Sequence, residues 1–599
     1  MLLNKNISAE YIKSLTTEQR RRLCTEIRAF LVRTVTETGG HLASNLGTVE
    51  LMVALHSVFT TPEDKMVFDV GHQAYVHKLI TGRAKKMNTL RSEGGISGFP
   101  RGDESEHDAF LGGHSSISIS AALGIAEGMK LDGDDHSVVA VIGDGAFTGG
   151  EAYEGINNAG KTDCNLVVVL NENEMSISKN TGAFALYLAQ IRSSQKYYHT
   201  KKSVKGILEK TPLVGKGIGK AAQKTKKVLR AALYNSNLFE NLGFKYLGPI
   251  DGHNLEELTE ALTVAKLMKR PCLVHVYTKK GKGYIPAESN SGEYHGIPPK
   301  NRITTDAECF NEHFGRTLRD IARGDDKICA VTAAMKYGTG LQYFAKEFPE
   351  RFFDVGIAEQ HAVTFCAGLA AQDKIPVFAV YSSFLQRSYD QLIHDCAIEN
   401  RHIVLAVDRA GFVGEDGETH HGVFDIPMLT SVPNMTIYSP SDTRELELCL
   451  KKAIYDTDGI AAVRYPRGGE LYQGGAAEYK DYNYFCTGKN KLIFTYGRIT
   501  ANALALKEYC DVLQAVKVFP IQREIIDICM KYNELFFFEE SEKSGGISEK
   551  LAAQLVMNGY RGKITVTAPQ GFMPQACVQR QLEKAHLDVE GMKKIVIGE

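Results

Sequence analysis

Val138-Val139-Ala140-Val141-Ile142-Gly143-Asp144-Gly145, followed by Leu166-Val167-Val168-Val169-Leu170-Asn171-Glu172-Asn173, is the stretch that decides the fold. Each block opens on an apolar run of strand length and closes on a side-chain oxygen, Asp144 in the first and Asn173 in the second. A helix-like stretch ending Gly155-Ile156-Asn157-Asn158 lies between them. A separation of roughly thirty residues suits a right-handed β-α-β crossover. Both oxygens then stand at the carboxyl edge of a parallel sheet, where open α/β folds bind ligands. Hard oxygens suit magnesium, which completes an octahedral shell with phosphate oxygens. The pattern therefore predicts a magnesium-diphosphate clamp. Taken singly, each half is a common Asp-Gly or Asn-rich turn. A dinucleotide loop is excluded, because Gly143-x-Gly145 meets Thr148 where the third glycine would stand.

The chain has 599 residues, enough for about three or four domains. Its formal charge of -1 argues against a role centred on nucleic acid or a membrane surface. Met1-Leu2-Leu3-Asn4-Lys5-Asn6 is too polar for a signal peptide, and no apolar run reaches spanning length. Its 12 cysteines run from Cys24 to Cys577 without a C-x-x-C pair, which fits a reducing compartment and a cytoplasmic enzyme.

Two breaks divide the chain. One is the proline-containing linker Ile297-Pro298-Pro299-Lys300. The other starts at Pro466-Arg467-Gly468-Gly469 and runs to about Asn483. The expected domains are residues 1–300, 301–467 and 484–599, each alternating strands and helices as parallel α/β sheets do. Expected strands include Met66–Val70, Ala330–Thr332, Val377–Val380, Ile403–Val407, Lys491–Thr495, Ala515–Phe519, Leu535–Phe538 and Ile564–Thr567. Thr48–Phe59 and Ser115–Lys130 have helical character. A basic excursion at 180–243, richest from Lys196 to Arg230, reads as a solvated surface segment compatible with an active-site lid.

Strand, Gly-Asp-Gly, helix, Asn-Asn, strand, Asn-x-Asn resembles the signature of the transketolase-like thiamine-diphosphate enzymes. Further runs are similar to the 1-deoxy-D-xylulose-5-phosphate synthase family along essentially the whole chain. They include His41-Leu42-Ala43-Ser44-Asn45-Leu46-Gly47, Asp69-Val70-Gly71-His72-Gln73-Ala74-Tyr75, Gly113-His114-Ser115-Ser116 and Asn173-Glu174-Met175-Ser176-Ile177-Ser178. Thr278-Lys279-Lys280-Gly281-Lys282-Gly283-Tyr284, Gly356-Ile357-Ala358-Glu359-Gln360-His361, Asp408-Arg409-Ala410-Gly411, Asp416-Gly417-Glu418-Thr419-His420 and Arg464-Tyr465-Pro466-Arg467-Gly468 continue it. The third piece matches least, with Val518-Phe519-Pro520-Ile521-Gln522 where the family tends to carry a Lys-Pro-hydrophobic-Asp run.

The resemblance implies three parallel-sheet α/β domains, thiamine diphosphate and magnesium as cofactors, and condensation of pyruvate with D-glyceraldehyde 3-phosphate as the reaction. By the same resemblance Asp144, Asn173 and the Met175 carbonyl hold magnesium. His72, Gly113, His114, Ser115, Gly145, Ala146 and Tyr284 line the diphosphate and thiazolium. Ser115 would also open a helix whose first amides favour the anion. Glu359 meets the aminopyrimidine, with Phe384 stacking on it and Arg387 in support. Arg409 and Arg467 take the acceptor's phosphate, Tyr381 and Asp416 orient substrate hydroxyls, and His41 and His420 carry protons. Family members are homodimers, and the third piece is expected to serve that interface. Transketolase, a pyruvate dehydrogenase component and a non-catalytic cofactor-binding relative are the alternatives. Neither nucleic acid nor membrane is expected as a partner.

Overall fold

Five strands form the first sheet: β1 (Lys65–Phe68), β2 (Val138–Gly143), β3 (Leu166–Glu172), β4 (Lys245–Asp251) and β5 (Cys272–Tyr277). Their order is β1-β2-β3-β5-β4, and every pair is parallel. The apolar runs of β2 and β3 are continuous because both faces are covered. Val139, Val141, Val167 and Val169 enter one core, while Val138, Ala140, Leu166 and Val168 enter the other. The register runs from Val138 opposite Leu166 to Gly143 opposite Asn171. Asp144 and Asn173 therefore each stand one residue past a strand end, joined by the helix Gly150–Ala159. This computed structural model describes residues 2–3, 7–173, 183–193, 238–300, 309–471, 474 and 478–598. Met175 and the Lys196–Arg230 excursion lie outside the described residues.

Two expectations in this region are corrected. The strand expected over Met66–Val70 ends at Phe68. Val70 takes a φ of 58°, a conformation that β-branched residues rarely adopt. The helix expected from Ser115 starts at Ser118 instead. Ser116 has a φ of 70°, and the Asp69 carboxylate accepts the N–H groups of Ser116 (2.7 Å) and Ser118 (3.0 Å). That helix start is thus occupied by a carboxylate of the chain itself.

The chain separates into two compact units, Met1–Leu90 with Ile96–Asn301, and Arg91–Gly95 with Arg302–Glu599. The second unit holds two sheets. One contains β6 (Ile328–Thr332), β7 (Phe352–Asp354), β8 (Ile375–Tyr381), β9 (Ile403–Asp408), β10 (Met435–Tyr438) and β11 (Ile460–Arg464). The other contains β12 (Tyr482–Phe485), β13 (Lys491–Thr495), β14 (Asp511–Ala515), β16 (Glu534–Phe538) and β17 (Lys563–Thr567). β15 (Lys517–Phe519) closes the edge of the first of these antiparallel to β10, giving the order β15-β10-β11-β9-β8-β6-β7.

The single strand expected over Ala515–Phe519 is therefore two strands in two sheets. The chain leaves β14 at Ala515 and crosses at Val516, whose carbonyl accepts from Ser439 N–H. An apolar run continues through the crossing because both sheets drain into one core, where Leu513 and Phe494 share a cluster with Phe378 and Leu405. Sequence periodicity cannot distinguish one strand from two when no polar residue marks the crossing.

Candidate active site

In the first unit the two strand tips meet. Asp144 is 5% exposed, and its carboxylate accepts the N–H groups of Gly145 (3.1 Å) and Asn173 (3.3 Å). Lys280, 6% exposed, is the cation that faces Asp144. Burial pulls its ammonium down to about 8, with the Asp144 charge opposing. Three imidazoles cluster nearby. The rings of His41 and His72 lie 5.4 Å apart, His72 and His295 5.2 Å, and His41 and His295 5.5 Å. Burial first, then the neighbouring cations, drives His72 and His295 well below the ordinary imidazole range, so both are neutral at pH 7. Nδ1 of His72 is buried with no hydrogen-bond partner among the described residues.

Asn45 fixes this cluster through its side-chain amide. Its Nδ2 donates to the carbonyls of His41 and His72, both at 2.7 Å, and its Oδ1 accepts Tyr75 N–H at 2.8 Å. The Tyr75 hydroxyl lies 3.2 Å from His41 N and 3.3 Å from its Nδ1. Gly113 and His114 are pinned to the end of β1, with Gly113 N–H on the Val70 carbonyl (2.6 Å) and Val70 N–H on that of His114 (3.2 Å). Ser116 Oγ donates to the Ala146 carbonyl at 2.7 Å, which brings the His114-Ser115 turn against Gly145-Ala146. Tyr284 instead packs edge-on to Tyr294 at 5.9 Å. No hydrogen bond or ring contact among the described residues joins it to His72 or Asp144.

In the second unit the expected residues follow the carboxyl ends of β7, β8, β9 and β11. Glu359 opens the helix Glu359–Ala370 and is 3% exposed. Its Oε2 has no hydrogen-bond partner among the described residues, and Arg387 Nη1 stands 3.8 Å away. Burial raises the carboxyl above its ordinary value, with Arg387 opposing. Tyr381 stacks on Phe384 at 5.6 Å, and Phe384 meets His420 edge-on at 5.4 Å. His420 Nδ1 lies 2.8 Å from Thr419 Oγ1.

Arg409 adopts a φ of 61° and lays its guanidinium 3.5 Å over the Tyr381 ring. Burial, then the charge of Arg467, pulls it down to about 9, which still leaves it cationic at pH 7. Two cations are thus held close enough to repel, as an anion site requires. Arg467 Nη1 donates to the Val413 carbonyl (2.5 Å) and reaches Glu415 (3.3 Å) and Asp416 (3.8 Å). Asp416 also pairs with Arg91 at 2.9 Å. Gly338 lets this group close up, since a Cβ there would lie 1.9 Å from the Tyr381 hydroxyl.

Lys280, His295 and Arg91 were not among the residues singled out from the sequence. Lys280 sits inside the Thr278–Tyr284 run that carries the resemblance, so a signal existed. His295 and Arg91 have none, because neither follows a strand or belongs to one of those runs.

These residues fit magnesium and thiamine diphosphate. Asp144 offers a hard carboxylate beside a buried lysine, with the Asn173 tip brought to it through its backbone N–H. His72 and Glu359 each bury a polar atom that awaits a partner. Residues 310–470 match the family model for the transketolase pyrimidine binding domain. The protein is accordingly a transketolase-type enzyme of the thiamine-diphosphate class, a transferase. Residues 3–278 match the family model for 1-deoxy-D-xylulose-5-phosphate synthase.

Two relatives described as 1-deoxy-D-xylulose-5-phosphate synthase match along the whole chain. That of Syntrophomonas wolfei is 44% identical over 100% of this chain and 96% of its own. That of Clostridium acetobutylicum is 42% identical over 100% and 99%. A third, from Clostridium kluyveri, reaches 52% over 78% of this chain and 76% of its own. The chain belongs to the 1-deoxy-D-xylulose-5-phosphate synthase family.

Proposed function

We propose that the chain condenses pyruvate with D-glyceraldehyde 3-phosphate, releasing carbon dioxide and 1-deoxy-D-xylulose 5-phosphate, as the first step of an isoprenoid precursor route. Thiamine diphosphate, when bound, supplies the carbon nucleophile and electron sink that decarboxylation needs. Asp144 and Asn173 would hold magnesium, and Lys280 with neutral His72 would take the diphosphate, backed by Gly113, His114, Ser115, Gly145 and Ala146. Tyr284 would complete the cofactor site from the first domain, as the resemblance implies. Glu359 would hold and pass a proton at its carboxyl oxygen toward the aminopyrimidine ring, a role suited to a carboxyl that burial raises above its ordinary value. Phe384 would stack on that ring, and the Arg387 charge opposes the upward pull of burial on the carboxyl.

Arg409 and Arg467 bind the acceptor's phosphate, Tyr381 and Asp416 orient them and the hydroxyls, and His41 and His420 move protons. The observation that carries the reading is the buried Glu359 carboxyl, one oxygen of which has no hydrogen-bond partner among the described residues. The test is carbon-dioxide release from pyruvate, with and without D-glyceraldehyde 3-phosphate. No gas, together with ketol transfer from xylulose 5-phosphate to ribose 5-phosphate, would make the enzyme a transketolase instead. The reading includes three functional domains at 1–300, 301–467 and 484–599 and a cytoplasmic homodimer. Sedimentation as a monomer at micromolar concentration contradicts the dimer. Among the described residues no helix is long and apolar enough to cross a membrane.

A further inference from the structure

Phe412, Val413 and Gly414 form the turn that follows Arg409, and side chains take all six of their backbone polar groups. Phe412 N–H donates to Glu540 Oε1 (2.7 Å), and its carbonyl accepts from Arg498 Nη2 (2.8 Å). Val413 N–H donates to His421 Nδ1 (3.1 Å), and its carbonyl accepts from Arg467 (2.5 Å). Gly414 gives its N–H to Gln581 Oε1 and accepts from Gln581 Nε2, both at 3.1 Å. Three of these partners, Arg498, Glu540 and Gln581, come from the third piece of the chain, where no chemistry was expected. All three are buried, and Arg498 Nε also pairs with Glu540 Oε2 at 2.8 Å. Gly411, at a φ of 80°, sits so close that a Cβ would lie 2.4 Å from the Glu540 carboxyl carbon.

Buried backbone groups need partners, and a turn can usually find them in water or in its own chain. Here a side chain meets every one of these groups, and among the described residues only the Gly414 carbonyl has a backbone partner as well, Gly417 N–H at 3.1 Å. A buried ion pair is weak evidence for added stability and better evidence for a specified geometry. The turn follows Arg409 in the chain and anchors Arg467 through the Val413 carbonyl. We infer that Gln581, Arg498 and Glu540 are positioning residues for acceptor recognition, holding the 412–414 turn so that Arg409 and Arg467 meet one phosphate. This rests on the acceptor reading of those two arginines.

The test uses the full-length enzyme with Gln581→Leu, which removes two bonds to Gly414 without stranding a charge. Steady-state kinetics are measured with pyruvate, D-glyceraldehyde 3-phosphate and unphosphorylated D-glyceraldehyde. KM for the phosphorylated acceptor should rise about tenfold, the equivalent of one well-made polar contact to a charged group. KM for pyruvate and kcat/KM for D-glyceraldehyde should stay within about twofold of wild type, given additivity of distant sites. Glu540→Gln keeps the oxygen that Phe412 N–H needs and should show the same preference change at about a third of the size. An equal loss on both acceptors, or no change on either, in a variant that melts like wild type overturns the inference. If Gln581→Leu does not melt cooperatively, Glu540→Gln decides alone, and an unchanged acceptor preference counts against it. A wild-type enzyme that releases no carbon dioxide from pyruvate instead refutes the functional reading, and that result is obtained before any variant is made.

Discussion

Glu359→Gln alters one buried oxygen and little else. The side chain is 3% exposed, keeps its volume, and has Arg387 3.8 Å from the oxygen in question. Burial raises this carboxyl above 4.5 in the folded enzyme. The folded state therefore binds the proton more tightly than the unfolded chain, and ionisation costs stability as pH rises from 4.5 through the raised value. Glutamine has no such cost, so the variant's melting temperature at pH 7 should equal or exceed that of wild type.

Its amide can still hydrogen-bond a ring nitrogen, so thiamine-diphosphate affinity by calorimetry should change by less than about tenfold, below the ~1.5–3 kcal/mol of a full charge-assisted bond. What glutamine cannot do is transfer the proton. A positioned acid-base group contributes roughly a hundredfold to ten-thousandfold, about 3–5 kcal/mol of barrier. Carbon-dioxide release at saturating cofactor and substrates should fall by that factor. Turnover within about tenfold of wild type, with cofactor saturation verified, would refute the assignment of Glu359 as the proton-handling group.

Three other outcomes follow from the structure. Asp144→Ala should weaken magnesium binding, measured calorimetrically with thiamine diphosphate present, by about a hundredfold or more, since it removes one of the hard-oxygen ligands outright. Gly338→Ala places a methyl 1.9 Å from the Tyr381 hydroxyl and must displace the ring under Arg409. Loss of that cation–π contact, ~0.5–2 kcal/mol, should raise KM for the acceptor several-fold with pyruvate unaffected. Glu445 is buried and raised from 4.5 to about 7, so folded protein should lose stability as pH climbs through that window, on the order of 3 kcal/mol in all. Glu445→Gln should flatten the slope of melting temperature against pH between 4.5 and 7.

Much of the site could be read in the sequence because strand tips announce themselves. Asp144 and Asn173 each end an uninterrupted apolar run, and a run buried on both faces has a clear stop. Arg409 directly follows β9, whereas Glu359 lies beyond the short, half-buried β7, and both were legible through the resemblance. Lys280 and His295 were harder, since burial rather than position gives them their character, and burial is a tertiary property. Val70 and Ser116 show why element ends moved: each takes a left-handed backbone angle that no propensity predicts. The strand crossing at Val516 and the reach of Gln581 to Gly414 depend on two sheets sharing one core, which a linear pattern does not encode.

Asp69 places a carboxylate where the helix Ser118–Leu131 would otherwise offer its amides to an anion. A polyanionic diphosphate tail approaching bare protein would find that positive pole already neutralised, with Lys280 buried alongside an acid. Divalent ion and coenzyme should therefore enter as a neutralising partnership, each strengthening the other's grip. In a titration, omitting the ion should cripple coenzyme uptake far more than ordinary ionic screening could explain.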